Sequence, residues 1–277
     1  MKHLVCGWIG VICLLLLSVA CSRKEADYTI AVSQCSEDDW RAQMNKEILR
    51  EALFYPGVNV EVYQAHDDNT HQIKDIESLI ERKVDLLIVA PNEAEAITPV
   101  IEKAYDAGIP VILVDRKINS KKYTAYVGAD NYEIGRKAGE YIADRLGGKG
   151  RVIEITGLRG STPAVERHRG MMEALKAVPG VQVVASAEAG WFRQKAGEVM
   201  DTLLDAHPQV NLVFAQNDRM AIGAYEKARQ KNRAGQIAFV GVDAVAGGVE
   251  SVAEGKLDAT FIYPTGGDKV IQVAMAI

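Results

Sequence analysis

The sequence predicts an α/β protein of two doubly wound parallel-sheet lobes with a ligand cleft between them, and three observations carry that reading. From Tyr28 onward short apolar runs alternate with longer amphipathic stretches, the rhythm of βαβ units. Most of the apolar runs are too continuous for a sheet with one wet face, so helices cover both faces. The rhythm also runs twice, with "ADNYEIGRKAGEYIADRL" between the halves. It assigns 28–130 to a first lobe, 131–262 to a second, and 263–277 to a return into the first.

Ten segments read as strands: "YTIAVS", "VNVEVYQA", "VDLLIVA", "IPVILVD", "TAYVGA", "RVIEITG", "VQVVASAEA", "NLVFAQ", "IAFVGVDA" and "LDATFIY". Between them helices show one apolar side. Ile73, Ile76, Ile80 and Val84 form one predicted stripe, and Val165, Met172, Leu175 and Val178 another. "YPGV", "DAGIP", "LGGKG" and "VPGV" each close a helix before the next strand. Ligands bind such sheets beyond the carboxyl ends of the strands, so polar clusters there carry the functional question.

Hydrophobic residues make up 48% and charged residues 25% of the 277 positions, which suffices to fill two cores. Net charge is −5 with no basic block, against a nucleic-acid partner. The N-terminus "MKHLVCGWIGVICLLLLSVACSRKE" has a basic start, an apolar run from Leu4 to Leu17, then small residues and Cys21. Residues 1–21 thus read as an export signal with lipidation at Cys21, although Ser18 stands where a lipoprotein signal usually has Leu. The competing reading is an uncleaved membrane anchor. Three of four cysteines, Cys6, Cys13 and Cys21, lie in this segment. Cys35 alone remains in the body, where it reads as a small packed residue and forms no internal disulfide.

Several side chains at the strand ends suit a polar ligand. Asp38 or Asp39 can cap the helix after the first strand, whereas Trp40 either packs on the lobe or offers a flat face to a ligand. Asn92 follows the third strand as a helix cap or a ligand contact. Asp115 and Arg116 end the fourth strand and pair acceptors with a rigid fork of donors, suited to neighbouring hydroxyls, or form a structural ion pair. Asp130 lies at the crossing between lobes. Arg167 sits near the start of a helix whose dipole does not favour a cation, so it serves something across the gap. Trp191, Asn217, Asp243 and Tyr263 complete the set, and Asp218 reads as a cap or hinge residue.

Other chemistry finds no motif. GxSxG, HExxH and paired CxxC are absent, His66, His71, His168 and His207 are scattered, and "GGKG" precedes a strand rather than following one. Neither a catalytic residue, a metal site nor a cofactor is expected. Asp115, Asp218 and Asp243 could meet in space, yet no nucleophile or tuned base stands out.

The body of the chain resembles periplasmic sugar-binding proteins of the ribose-binding type, which have the type I periplasmic binding protein-like fold. The matching stretches are "ILVDR", "VGADNYEIGRKAGEYIA", "AVERHRG", "HPQVNLVFAQNDRMAIGA", "VGVDA" and "GKLDATF". "DDWR", "PNEAEAITPVIEKAYDAGIPVILVDR" and "FIYPTGG" look closer to the periplasmic domains of hybrid two-component systems that sense monosaccharides. The resemblance implies sugar contacts at Asp115, Arg116, Arg167, Asn217 and Asp243, with Trp40 and Trp191 as stacking aromatics. It departs at "EDDW", which replaces an Asn-Pro-Phe-Phe run, at Ala90, where Asn is usual, and at Tyr263, where Gln is usual. Ribose is therefore a poorer expectation than fructose or another hexose. The implied partners are a monosaccharide and either a sensor kinase module or an ABC transporter permease, in the periplasm with N-terminal membrane attachment. The family also implies a further crossing beyond Ile277. A LacI-type repressor would need a helix-turn-helix where the export segment stands, and an enzyme would need a motif not found here.

Overall fold

The computed structural model describes residues 27–277; the export segment, with Trp8 and Cys21, lies outside them. The described residues form two parallel sheets. The first contains β1 (Tyr28–Gln34), β2 (Val58–Gln64), β3 (Leu86–Val89), β4 (Val111–Val114) and β5 (Ala125–Val127) in the order β2-β1-β3-β4-β5. The second contains β6 (Gly150–Thr156), β7 (Val181–Glu188), β8 (Leu212–Ala215), β9 (Ala238–Asp243) and β10 (Ala259–Ile262) in the order β7-β6-β8-β9-β10. The two orders are equivalent. Each sheet reverses direction of growth beside its first strand, which opens a crevice at the strand ends.

Side-chain alternation explains why both faces are covered. In the first sheet Ile30 and Val32 pack with Met44 and Ile48 of α1 (Asp39–Ala52) and Val270 and Ile271 of α9 (Gly267–Ala274). Ala31, Leu87 and Val89 pack on the other face against α2 (Asn69–Arg82) and α3 (Ala94–Asp106). In the second sheet Val152, Phe214 and Val240 meet α4 (Asn131–Arg145) and α5 (Thr162–Lys176). Ile153, Ile155 and Val213 meet α6 (Arg193–Ala206) and α7 (Asp218–Gln230). The short α8 (Ala246–Ala253) precedes β10. Ile88 in the middle of β3 is fully buried, so truncation to Ala there would cost about 2–5 kcal/mol.

The helix faces correct two predicted stripes. In α5 Val165 is 55% exposed, while the buried side is Pro163, Ala164, Arg167, Gly170, Met171 and Leu175. The reason is the approach of α4. A Cβ added at Gly135 would meet the carbonyl oxygen of Arg167 at 2.1 Å, and one at Gly170 would meet that of Tyr132 at 2.0 Å. Glycines therefore stand at the points of closest approach, and they set which side of α5 faces inward. In α2 the helix ends at Arg82, so Val84 is buried beyond it; Gln72, Ile76 and Leu79 form its buried side.

Candidate functional site

The chain passes between the sheets at 128–130 and again at 263–266, so the carboxyl ends of both sheets face one cleft. A cavity of about 40 Å³ lies there, lined by Trp40, Asp115, Arg116, Arg167, Trp191, Asn217, Asp243 and Tyr263, with Asp38, Arg41, Pro163 and Arg219. The space is narrow because side chains of both lobes meet across it, Arg116 and Arg167 flanking the Trp191 ring. A wider groove of about 1160 Å³ opens beside it along 262–269 and shares Trp40, Asp243 and Tyr263. The charged groups of both lobes meet in the smaller space.

Strand ends aim these groups through backbone conformations that side chains seldom adopt. Asp115 (φ 64°), Trp191 (φ 76°) and Asp243 (φ 120°) all have positive φ, each costing about 1–3 kcal/mol that the surrounding fold must offset. Gly157 makes room for the Trp191 ring, since a Cβ there would meet it at 2.1 Å.

From the first lobe, the Asp115 carboxylate accepts from the Arg41 guanidinium and from the Tyr263 hydroxyl, with Arg116 Nε at 3.6 Å. Burial pushes the Asp115 carboxyl up, but Arg41, Arg116 and the Tyr263 hydrogen bond outweigh it and hold it below the usual range. Burial likewise opposes the charge on Arg41, and Asp115 reverses that, so Arg41 is held more firmly charged than usual. The Asp115–Arg116 pair is thus an ion pair, and it also lines the cleft. Trp40 stacks on Tyr263 with ring centroids 5.2 Å apart and donates Nε1 to the Tyr263 carbonyl at 3.0 Å.

From the second lobe, Arg167 is 2% exposed. Its Nε donates to Asn131 Oδ1 at 2.9 Å and its Nη1 to the Gln216 carbonyl. Its guanidinium also lies 4.0 Å from Asp243 Oδ1 and 4.6 Å from the centre of the Tyr263 ring. Burial pushes the Asp243 carboxyl well up, with Arg167 only partly opposing it and Asp218, Asp38 and Asp115 adding repulsion. The Trp191 ring has Arg116 of one lobe and Arg167 of the other each 5.7 Å from its centre. Buried Trp191 Nε1 and Arg116 Nε have no hydrogen-bond partner among the described residues. Such groups are costly unless something pairs with them.

The remaining candidates divide. Asn217 lines the cleft and also caps α7, its Oδ1 accepting from the Met220 amide at 2.9 Å. Asn92 stands behind the lining, where its carbonyl accepts from Arg116 Nη1 at 2.8 Å and its Nδ2 donates to Asn69 Oδ1 at 3.0 Å. Glu93, not Asn92, occupies the cap position of α3. Asp130 is outside the cleft lining and caps α4 through the Glu133 amide at 3.0 Å. Asp38, one of two candidates for that role, caps α1. Asp218 is buried beneath the start of α8, where a Cβ on Gly248 would strike it, and accepts from Thr260 Oγ1 at 2.6 Å. Burial, opposed by that hydrogen bond, raises its carboxyl to about 6. Arg41 was not singled out from the sequence, although it adjoins Trp40. Its position in the first turn of a helix, where the dipole disfavours a cation, is the available signal.

Comparison with known proteins follows this geometry. The chain is 54% identical to the fructose binding periplasmic domain of a hybrid two component system, with a TM-score of 0.88 over 90% of this chain and 84% of that one. It is 33% identical to the ribose import binding protein of Bacillus subtilis over 86% of this chain and 77% of that protein. A solute binding protein of an ABC transporter from Bacillus halodurans, solved with myo-inositol, is 27% identical, with a TM-score of 0.87 over 92% of this chain and 90% of that one. The family model described as periplasmic binding protein domain matches residues 30–277, and the chain belongs to that family.

Proposed function

We propose that this protein binds a monosaccharide in the periplasm by closing its two lobes around it, and that fructose or a related hexose is the ligand. The observation that carries the reading is the convergence of Asp115 and Arg116 from one lobe with Arg167 and Asp243 from the other around the Trp191 ring. Carboxylates and guanidinium forks match neighbouring hydroxyls, and an indole face matches the C–H side of a sugar ring. The unpaired Nε groups of Arg116 and Trp191 supply further donors. A ligand touching both lobes favours closure by its greater affinity for the closed state.

Sensing within a two-component system is the proposed role, supported by the 54% identity to the fructose binding periplasmic domain of a hybrid two component system. Delivery to a transporter is the second reading, carried by relatives such as the ribose import protein at 33%. Attachment through Cys21 or an apolar anchor would hold the domain at the membrane. Isothermal calorimetry on residues 27–277 with fructose, ribose, glucose, galactose and xylose tests the ligand. Saturable binding of fructose above the others is expected, and no heat with any of the five would sink the proposal. In cells, loss of the gene should abolish a fructose-dependent transcriptional response; loss of uptake alone would favour transport.

A further inference from the structure

Glu154 lies in the middle of β6 and is fully buried. By alternation its side chain shares the face of Val152, beneath α5. A carboxylate on that face is costly unless strongly paired, and three donors surround it. Its Oε1 accepts from Gln216 Nε2 at 2.9 Å, and its Oε2 from Ser186 Oγ at 2.8 Å and His168 Nδ1 at 2.7 Å. Gln216, also fully buried, follows β8. Its amide ties three segments together: Nε2 donates also to the Ala164 carbonyl of α5 at 3.1 Å, and Oε1 accepts from the Gly157 amide at 3.0 Å. Its carbonyl receives Arg167 Nη1. Glu154 itself is not part of the cleft lining.

We infer that Glu154 is a positioning residue for ligand binding: through Gln216 it fixes the carbonyl and the helix turn that aim the Arg167 guanidinium into the cleft. The inference rests on the reading of the cleft as a ligand site. Removing the carboxylate loosens the Gln216 side chain and with it the backbone turn whose carbonyl, beside Asn131 Oδ1, holds the Arg167 fork. Preorganised donors contribute through position, so a small displacement weakens binding without removing any contact residue. His168 hydrogen-bonds to the carboxylate from its half-exposed site on α5, and that bond, against the opposing effect of burial, raises the imidazole above its usual value. His168 is the titratable group that faces Glu154 from α5; the partners from β7 and after β8, Ser186 and Gln216, are neutral.

Glu154→Gln keeps the shape and removes the charge. The expected result is a fructose affinity lower by about tenfold, the loss of roughly one well-placed hydrogen bond. The ¹⁵N resonance of Arg167 Nε, recorded before sugar is added, should move in the same variant. Ile153→Val, which trims the opposite face of the same strand, controls for lowered stability and should change neither reading. If Glu154→Gln fails to fold, His168→Ala removes only a half-exposed ring and should weaken binding roughly two- to threefold. A folded variant with wild-type affinity and an unmoved Arg167 resonance overturns the inference. If the wild type binds none of the sugars, the resonance still decides this inference, and only the functional reading falls.

Discussion

Asp115 directly follows the fourth strand of the first lobe and Asp243 ends the fourth strand of the second, so the two carboxyls occupy corresponding places in sheets of the same strand order. Both have positive φ and both line the cleft. Their charges are treated in opposite ways. Asp115 has two arginines and a tyrosine hydroxyl in reach and is held ionised, whereas Asp243 has Arg167 at 4.0 Å and is pushed towards its neutral form. The same backbone solution thus carries a prepaid ion-pair network in one lobe and an underpaired carboxyl in the other. The first lobe is organised before a ligand arrives; the second has polar capacity that a ligand's hydroxyls can satisfy.

The largest effect should come from breaking the network of the first lobe. Asp115→Ala leaves Arg41 and Arg116 buried without their carboxylate, and urea unfolding should show a loss of about 3–5 kcal/mol. Asp243→Asn should leave stability at neutral pH unchanged or raised, since it removes an unfavourable ionisation. The pH dependences should have opposite signs. The depressed Asp115 contributes stability above its unfolded value of about 3.9, lost as pH falls through the folded value. The raised Asp243 makes stability fall as pH rises from about 3.9 to its folded value, then level off. Asp115→Asn should flatten the first slope and Asp243→Asn the second. Equal costs and equal slopes in the two variants would erase the contrast.

Arg167→Ala comes next. It should weaken sugar binding by at least about 1.5–3 kcal/mol, one charged hydrogen bond, measured by calorimetry. Arg167 also satisfies Asn131 and the Gln216 carbonyl in the interior, so the melting temperature should fall as well.

The tryptophans sharpen the contrast optically. Trp40 is already stacked and hydrogen-bonded, whereas Trp191 has an unpaired Nε1 between arginines of both lobes. The family resemblance implies a stacking role for both. On this geometry Trp191→Phe should remove most of the fluorescence change on fructose addition and Trp40→Phe little. The reverse pattern would place the stacking role on Trp40.

The smallest effect concerns contacts that join the lobes outside the cleft. Lys117 Nζ reaches Glu166 at 2.8 Å and the Lys117 amide donates to Thr162 Oγ1 at 2.9 Å. Lys117→Ala should weaken ligand binding by about 0.2–1 kcal/mol, through faster dissociation in stopped-flow measurements. An unchanged off-rate would show that this pair does not hold the lobes together.

The alternation of apolar runs and helices, the repeat of that pattern, and the clustering of polar residues at strand ends are local properties of the chain. They were therefore legible without coordinates: all ten strand segments appear as strands in two parallel sheets. Eight of the ten residues named for the site line one cleft for the same reason, since parallel strands bring strand ends, crossings and the N-terminal turns of the following helices, which carry Trp40 and Arg167, to one place. What local pattern could not convey was which partner each polar group meets. Asp130 and Asn92 carry suitable amide and carboxyl groups, but the first turns to the α4 amides and the second stands behind Arg116. Arg41 pairs with a carboxylate 74 positions away, and Glu154 with an amide 62 away. The buried face of α5 includes Arg167 as well as Met171 and Leu175, and Gly170 stands where the α4 backbone comes too close for any Cβ. Hydrophobic periodicity records the transfer of apolar area out of water. It is blind to a close helix contact and to a buried guanidinium, whose energies exist only once distant segments are packed together.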